Sequence, residues 1–186
     1  VLEQHKNSVT FVQRSDENTK RDFPFDYELK IKYTINGDTV TNEYIVTNTG
    51  EDKLPFVIGG HPAFNCPLAK GEKFEDYKVV FDKNITKPCL RPDHHTGLVN
   101  VFEKFDEMHG GDTLSLVHEL FEEKDALIFE NCEAKSATLI GKSGKGVKIE
   151  FQDMNNLLIW SAVGNAPFVA LEPWTGLASC NDEDGL

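Results

Sequence analysis

The chain has 186 residues, with 31 Asp and Glu against 19 Lys and Arg and a formal net charge of -12. That length suits one sizeable core and is short for two, so a single domain over residues 1–186 is the expectation. The acidic balance disfavours nucleic acid and anionic lipid as partners.

No apolar run approaches the roughly 20 residues that span a bilayer, and VLEQHKNSVTF lacks the basic and apolar regions of a secretory signal. No membrane partner is expected, and the cytoplasm is the compartment these features favour. Cys66, Cys89, Cys132 and Cys180 show no C-x-x-C spacing, so neither a zinc site nor a redox motif is predicted, and free, partly buried thiols are the simpler reading.

In chain order, strand-like sequence appears at once over 9–13. In FDYELKIKYTI, the residues Phe25, Tyr27, Leu29, Ile31, Tyr33 and Ile35 alternate with more polar ones, the pattern of a half-buried strand. Asn36-Gly37 follows, with looser alternation at Val40, Tyr44 and Val46, which predicts a hairpin closed by a two-residue type I′ turn. Next comes GGHPAFNCPL over 59–68. Its glycines and prolines suit neither a helix nor a central strand, which puts His61 at a strand end or loop mouth where side chains meet ligands.

YKVVF, ALIF, SATLI, VKIEF, LLIWSAV and FVALE read as further short strands between turn-rich clusters, with Lys142 to Gly146 as a hairpin loop. TLSLVHELFEEK fits two patterns. Leu114, Val117, Leu120 and Phe121 make a helical stripe, and Leu114, Leu116, His118 and Leu120 make a strand. The whole predicts an all-β sandwich or barrel. Both ends read as unfinished for such a fold, the last segment NDEDGL offering only Leu186 as an anchor.

Three residues stand out chemically. The imidazole of His61 can donate or accept a proton near neutral pH, the alternative being a histidine that holds a loop by hydrogen bonds. Glu172 ends the apolar run Phe168 to Leu171, where a carboxylate is costly to desolvate and has its pKa raised; it could also mark an exposed strand end. Asp125 follows the charged run Glu122-Glu123-Lys124, which by itself suggests a solvated loop. Trp174 offers a flat face suited to a sugar ring, or to a core. His94-His95 has no partner at ligand spacing, and no metal or cofactor is predicted. One proton donor and one acceptor suffice to open and reclose a cyclic sugar.

VIGGHPAFNCPL, then DALIF, then LLIWSAVGNAPFVALEPWTGLAS, in that order and colinear from Phe23 to Ser179, resemble the aldose 1-epimerase (galactose mutarotase) superfamily, specifically its LacX-like branch. The resemblance implies an antiparallel β-sandwich, the galactose mutarotase-like supersandwich, that binds a hexose in an open cleft. It implies His61 as general acid, within HPAFN where Ala63 replaces the usual aromatic, and Glu172 as general base. Asp125, Trp174 and Asn65 would bind substrate.

Family members also carry an N-terminal histidine and arginine in regions this chain does not match. His5 and Arg14 lack the surroundings to replace them. A sandwich short of those parts exposes edges that invite a second copy or a complementing chain. The readings to be separated are an anomer-interconverting isomerase on a glucose- or galactose-type hexose, a carbohydrate-binding protein without turnover, and an inactive piece of a mutarotase. With only Arg14, Arg21 and Arg91 on an acidic chain, a sugar phosphate is the less attractive substrate.

Overall fold

The alternating run folds as a hairpin in the computed structural model, which describes residues 1–93, 95–122 and 125–183. His94 of the histidine pair, Glu123 and Lys124 of the charged run, and Leu186 lie outside the described residues. Strand β3 (Tyr27–Asn36) pairs in unbroken antiparallel register with β4 (Thr39–Asn48). With β1 (Glu3–Gln4) and β2 (Ser8–Arg14) they form a sheet in the order β1-β2-β3-β4.

The turn differs from the expected one. Asn36 pairs with Thr39, so the loop is Gly37-Asp38, and Gly37 alone of the two has a positive φ, at 61°. Type I′ needs positive φ at both central residues; glycine at the first alone makes the turn type II′. Residues 27–32 are all partly covered, Glu28, Lys30 and Lys32 as much as Tyr27, Leu29 and Ile31, so the alternation of the sequence is not matched by one of burial, and Tyr33 and Ile35 are exposed.

These strands belong to Val1–Phe56, the first of two compact units; the second is Val57–Leu186. The second unit is a sandwich. One sheet has the order β5 (Ala63–Asn65), β14 (Phe168–Trp174), β13 (Asn156–Trp160), β10 (Leu127–Phe129), β7 (Cys89–Pro92), β8 (Val99–Phe105). The other runs β12 (Gly146–Glu150), β11 (Ser136–Gly141), β6 (Tyr77–Phe81), β9 (Thr113–Ser115). These strands pair antiparallel throughout.

Side-chain parity sorts the two faces of the larger sheet. Leu127, Phe129, Leu157, Ile159, Val169 and Leu171 pack with Val79, Phe81, Ala137 and Leu139 of the smaller sheet in the main core. The alternate residues Ile128 and Leu158 join Leu90, Val99 and Ala126 in a second apolar cluster, flanked by Trp160 and Trp174. Strands buried on both faces read as continuous apolar runs, which explains LLIW and FVAL.

The ambiguous segment obeys both of its periodicities in turn. Leu114 and Leu116 are buried in and just after β9, then helix α1 (Glu119–Glu122) buries Phe121. His118, at the corner, stacks on Phe74 with ring centroids 3.9 Å apart. Sequence patterning missed β7, whose Arg91 is only 3% exposed. Its Nη2 donates to Glu107 Oε1 at 2.8 Å and its Nη1 to the Leu120 carbonyl at 2.9 Å, and the guanidinium lies over the Phe105 ring. A buried charge needs such partners, and these tie β7 to α1.

All four thiols are free. Burial pushes Cys66 up to about 12 and Cys89 to about 11, so both stay protonated and unreactive near neutrality. Among the described residues no three His, Cys, Asp or Glu gather as a metal site would require, and no helix is long and apolar enough to cross a membrane.

The turn geometry is open to test. Gly37→Ala forces a Cβ into the left-handed region and lowers stability by about 1–2 kcal/mol, read as a fall in the denaturation midpoint of the first unit. Asp38→Gly, which would stabilise a type I′ turn, brings no gain.

Candidate active site

Strand register brings His61 to Glu172. Ala63 of β5 faces Ala170 of β14, and four residues earlier Gly59 faces Trp174. Carrying one register through both contacts sets His61 opposite Glu172. The Leu171 N–H donates to the Pro62 carbonyl at 3.1 Å and the Gly60 N–H to the Pro173 carbonyl at 3.0 Å, framing the pair on either side. β5 is an edge strand, the position that accommodates Pro62. Across this register His61 Nε2 lies 3.2 Å from Glu172 Oε1.

The two groups occupy opposite environments. The Glu172 side chain is 3% exposed and that of His61 58%. Burial pushes the Glu172 carboxyl above its ordinary range, and the charge of Asp125 acts the same way; His61 and a hydrogen bond from Trp174 pull against them. Burial wins because the carboxylate sits on a strand between Leu171 and Pro173, beside Leu158 of β13. The pair therefore combines a proton acceptor made more basic by desolvation with a proton carrier open to solvent.

Trp174 is placed by a glycine. A Cβ on Gly59 would stand 2.3 Å from Trp174 Cδ1, so only a residue without a side chain lets the indole lie across the strand. Gly59, His61, Glu172 and Trp174 all line one cleft of about 370 Å³, walled further by Val57, Ile58 and Leu177. That volume falls at the small end of ligand sites.

Asp125 reaches the same face by a different route. It precedes β10 with φ 55°, an uncommon backbone state that Asp tolerates better than most residues. Its Oδ1 accepts the Trp160 Nε1–H at 2.6 Å. Trp160 in turn meets His61 edge to face, ring centroids 5.7 Å apart, and lies 5.5 Å from the Phe168 ring. Asn65 is on the His61 face of β5 but two residues beyond Ala63, exposed and outside the cleft lining. His5 and Arg14 lie in the first unit, where Arg14 Nη2 pairs with Glu28 at 2.6 Å.

The structure thus gathers His61, Glu172 and Trp174 in one cleft, links Asp125 to His61 through Trp160, and leaves Asn65 to one side. Trp160, which bridges Asp125 and His61 without lining the cleft, was not singled out by sequence reading. It passed as one more apolar residue of LLIWSAV, and its significance depends on which strand lies beside β13.

The profile of the family described as Aldose 1-epimerase matches residues 1–178, so the match includes the N-terminal strands that the motifs alone did not cover. The plasmid-encoded protein LacX of Lactococcus lactis subsp. lactis is 37% identical over 188 residues, covering 99% of this chain and 62% of the relative, and chromosomal LacX matches equally. A galactose mutarotase related enzyme from Lactobacillus acidophilus superimposes with a TM-score of 0.87 at 26% identity, over 99% of this chain and 61% of the other. A galactose mutarotase-like protein from Lactobacillus casei gives 0.80 at 30% identity, over 97% and 62%. The chain therefore spans less than two thirds of the length of these relatives. The sandwich of the second unit, the ordered motifs and these matches agree: the chain belongs to the aldose 1-epimerase family.

Proposed function

We propose that the cleft interconverts the α and β anomers of a free hexose, with His61 as general acid and Glu172 as general base. The observation that carries this reading is the 3.2 Å approach of His61 Nε2 to the buried Glu172 carboxylate at the cleft wall. Such a pair holds one proton between a donor and an acceptor, which is what ring opening requires.

Glu172 takes the proton of the anomeric hydroxyl while His61 gives one to the ring oxygen. The bond between the anomeric carbon and the ring oxygen breaks, and the anomeric carbon becomes an aldehyde. Rotation about the neighbouring carbon–carbon bond presents the other carbonyl face. The same transfers in reverse then close the ring with inverted configuration, so no net proton, electron or co-reactant is consumed. Trp174 offers the sugar an apolar face, and two carboxylates, Glu172 and Asp125, disfavour a phosphorylated substrate by charge.

Polarimetry on freshly dissolved α-glucose and α-galactose tests this. The protein accelerates the approach to anomeric equilibrium, and His61→Ala or Glu172→Gln lowers the rate by about 10²–10⁴-fold, the usual worth of a positioned acid or base. Saturable sugar binding by a folded protein that leaves the optical rotation decay at the buffer rate would overturn catalysis.

The pH dependence has a defined sign. Activity needs Glu172 ionised and one proton on the pair, so the rate against pH is bell-shaped with macroscopic limits that belong to the pair. Because burial raises the Glu172 pKa, the acid limb falls above the ordinary carboxylate range.

Stability runs the other way. A raised folded-state pKa means that protonation favours the native state. The parent therefore gains stability as pH falls through that pKa, and the gain is complete below the unfolded-state value. Glu172→Gln, neutral throughout, is more stable than the parent at neutral and alkaline pH, and the gap closes on acidification. Equal urea midpoints for the two proteins at all pH values would show that burial exerts no such penalty.

A further inference from the structure

Taking His61 as the acid, we propose that Trp160 is a positioning residue for it: Asp125 tethers the indole, and the indole fixes the plane in which the imidazole meets Glu172. The sheet geometry makes this possible. Trp160 of β13 faces Ala170 of β14, which faces Ala63 of β5. Two alanines in one row leave the indole room to lie across β14 toward the edge strand. There it finds His61 edge to face at 5.7 Å and Phe168 at 5.5 Å.

The ring would be free to tilt about its side-chain torsions without a second anchor. Asp125 supplies it through the 2.6 Å bond that its carboxylate accepts from Trp160 Nε1, short as bonds to an ionised acceptor are. Asp125 is itself held in a positive-φ conformation, its N–H donating to the Phe121 carbonyl at 3.2 Å. Phe121 belongs to α1, whose Leu120 carbonyl is bound by Arg91. A mechanical line thus runs from β7 through α1 and Asp125 to Trp160 and His61.

His61 needs such support. Its side chain is 58% exposed on the segment leading into the edge strand β5, and a solvent-facing imidazole has several rotamers of similar energy. Contact with Glu172 restrains one nitrogen, and the indole restrains the ring plane. On this account Asp125 affects the reaction mainly through Trp160, and its loss appears in kcat. A direct hydrogen bond donated by a sugar hydroxyl to Asp125, made in ground and transition states alike, would appear in KM.

A double-mutant cycle separates the two. The parent, Asp125→Gly, Trp160→Phe and the double variant are compared by anomer-interconversion kinetics and by the NMR resonance of the His61 Hε1 proton. Glycine is chosen because it accepts positive φ, and Trp160→Phe keeps an aromatic ring while removing the N–H donor. Asp125→Gly is expected to lower kcat about 10- to 100-fold and to shift the His61 resonance when Trp160 is present, and to do neither in the Trp160→Phe background.

Equal fold losses in both backgrounds, with a KM rise and an unmoved His61 resonance, overturn the proposal and leave Trp160 as packing. Asp125→Asn, which also tolerates positive φ and keeps an Oδ1 that accepts the indole N–H, checks the tether if glycine loosens the loop: it retains kcat and the His61 resonance closer to the parent than Asp125→Gly does, and an equal loss in the two variants overturns the proposal. If the parent does not interconvert anomers, the catalytic reading fails. The resonance cycle then decides by itself, because coupling through Trp160 moves the His61 signal whether or not the site turns over.

Discussion

The register between the 59–63 segment and β14 is the constraint on which the site depends. Successive side chains on a strand point to opposite faces, so a slip of one residue would carry His61 away from Glu172 altogether. A three-residue strand such as β5 cannot fix a register unaided. The bonds beyond it do so: Leu171 to Pro62, Gly60 to Pro173, and the reciprocal pair in which Ile58 N–H donates to Thr175 Oγ1 and Thr175 N–H to the Ile58 carbonyl, both at 2.9 Å. Gly59 beneath Trp174 removes the alternative registers in which any side chain would meet the indole. The odd composition of GGHPAFNCPL is thus the composition of a pinned edge segment.

The second constraint is energetic. Glu172 occupies a strand whose other face belongs to the main core, with Val169 and Leu171 fully buried beside it. That core keeps β13 and β14 in place while the opposite face carries a carboxylate away from water. Desolvation costs several kcal/mol for an unpaired ion, and His61 with the Trp174 hydrogen bond offsets part of it. A site of this kind is sustained by packing elsewhere in the sandwich, and its destabilised carboxylate is the source of its basicity.

Much of this was legible in the sequence, and the remainder was hidden for identifiable reasons. Alternation in Tyr27 to Ile35 and the short runs from YKVVF to FVALE specify a β fold, because period two is a local property. CLRP of β7 escaped notice because an arginine in the core is acceptable only through Glu107, Leu120 and Phe105, which are distant in sequence. Asp125 looked like part of a solvated charge run, and its bond to Trp160 depends on strand neighbours that no local pattern reveals. His61 and Glu172 stood out by chemistry and motif. Their opposition at 3.2 Å is a consequence of topology.

The same topology explains why one face of a single sheet can hold carboxylates in different environments. Glu172 lies one strand in from the sheet edge, opposite His61 on one side and Leu158 on the other, so its charge is set by a titratable partner and by apolar walls. Asp125 enters from the loop before β10 and ends on an indole N–H, a partner that neither gains nor loses a proton in the working range. The first carboxylate therefore sits against a group that can exchange a proton, and the second against one that can only be held in place. Exchanging their environments would undo both contacts without altering composition. In a cleft of about 370 Å³, chemistry of this type is carried by strand order more than by the identity of the acidic residues, which the chain has in excess.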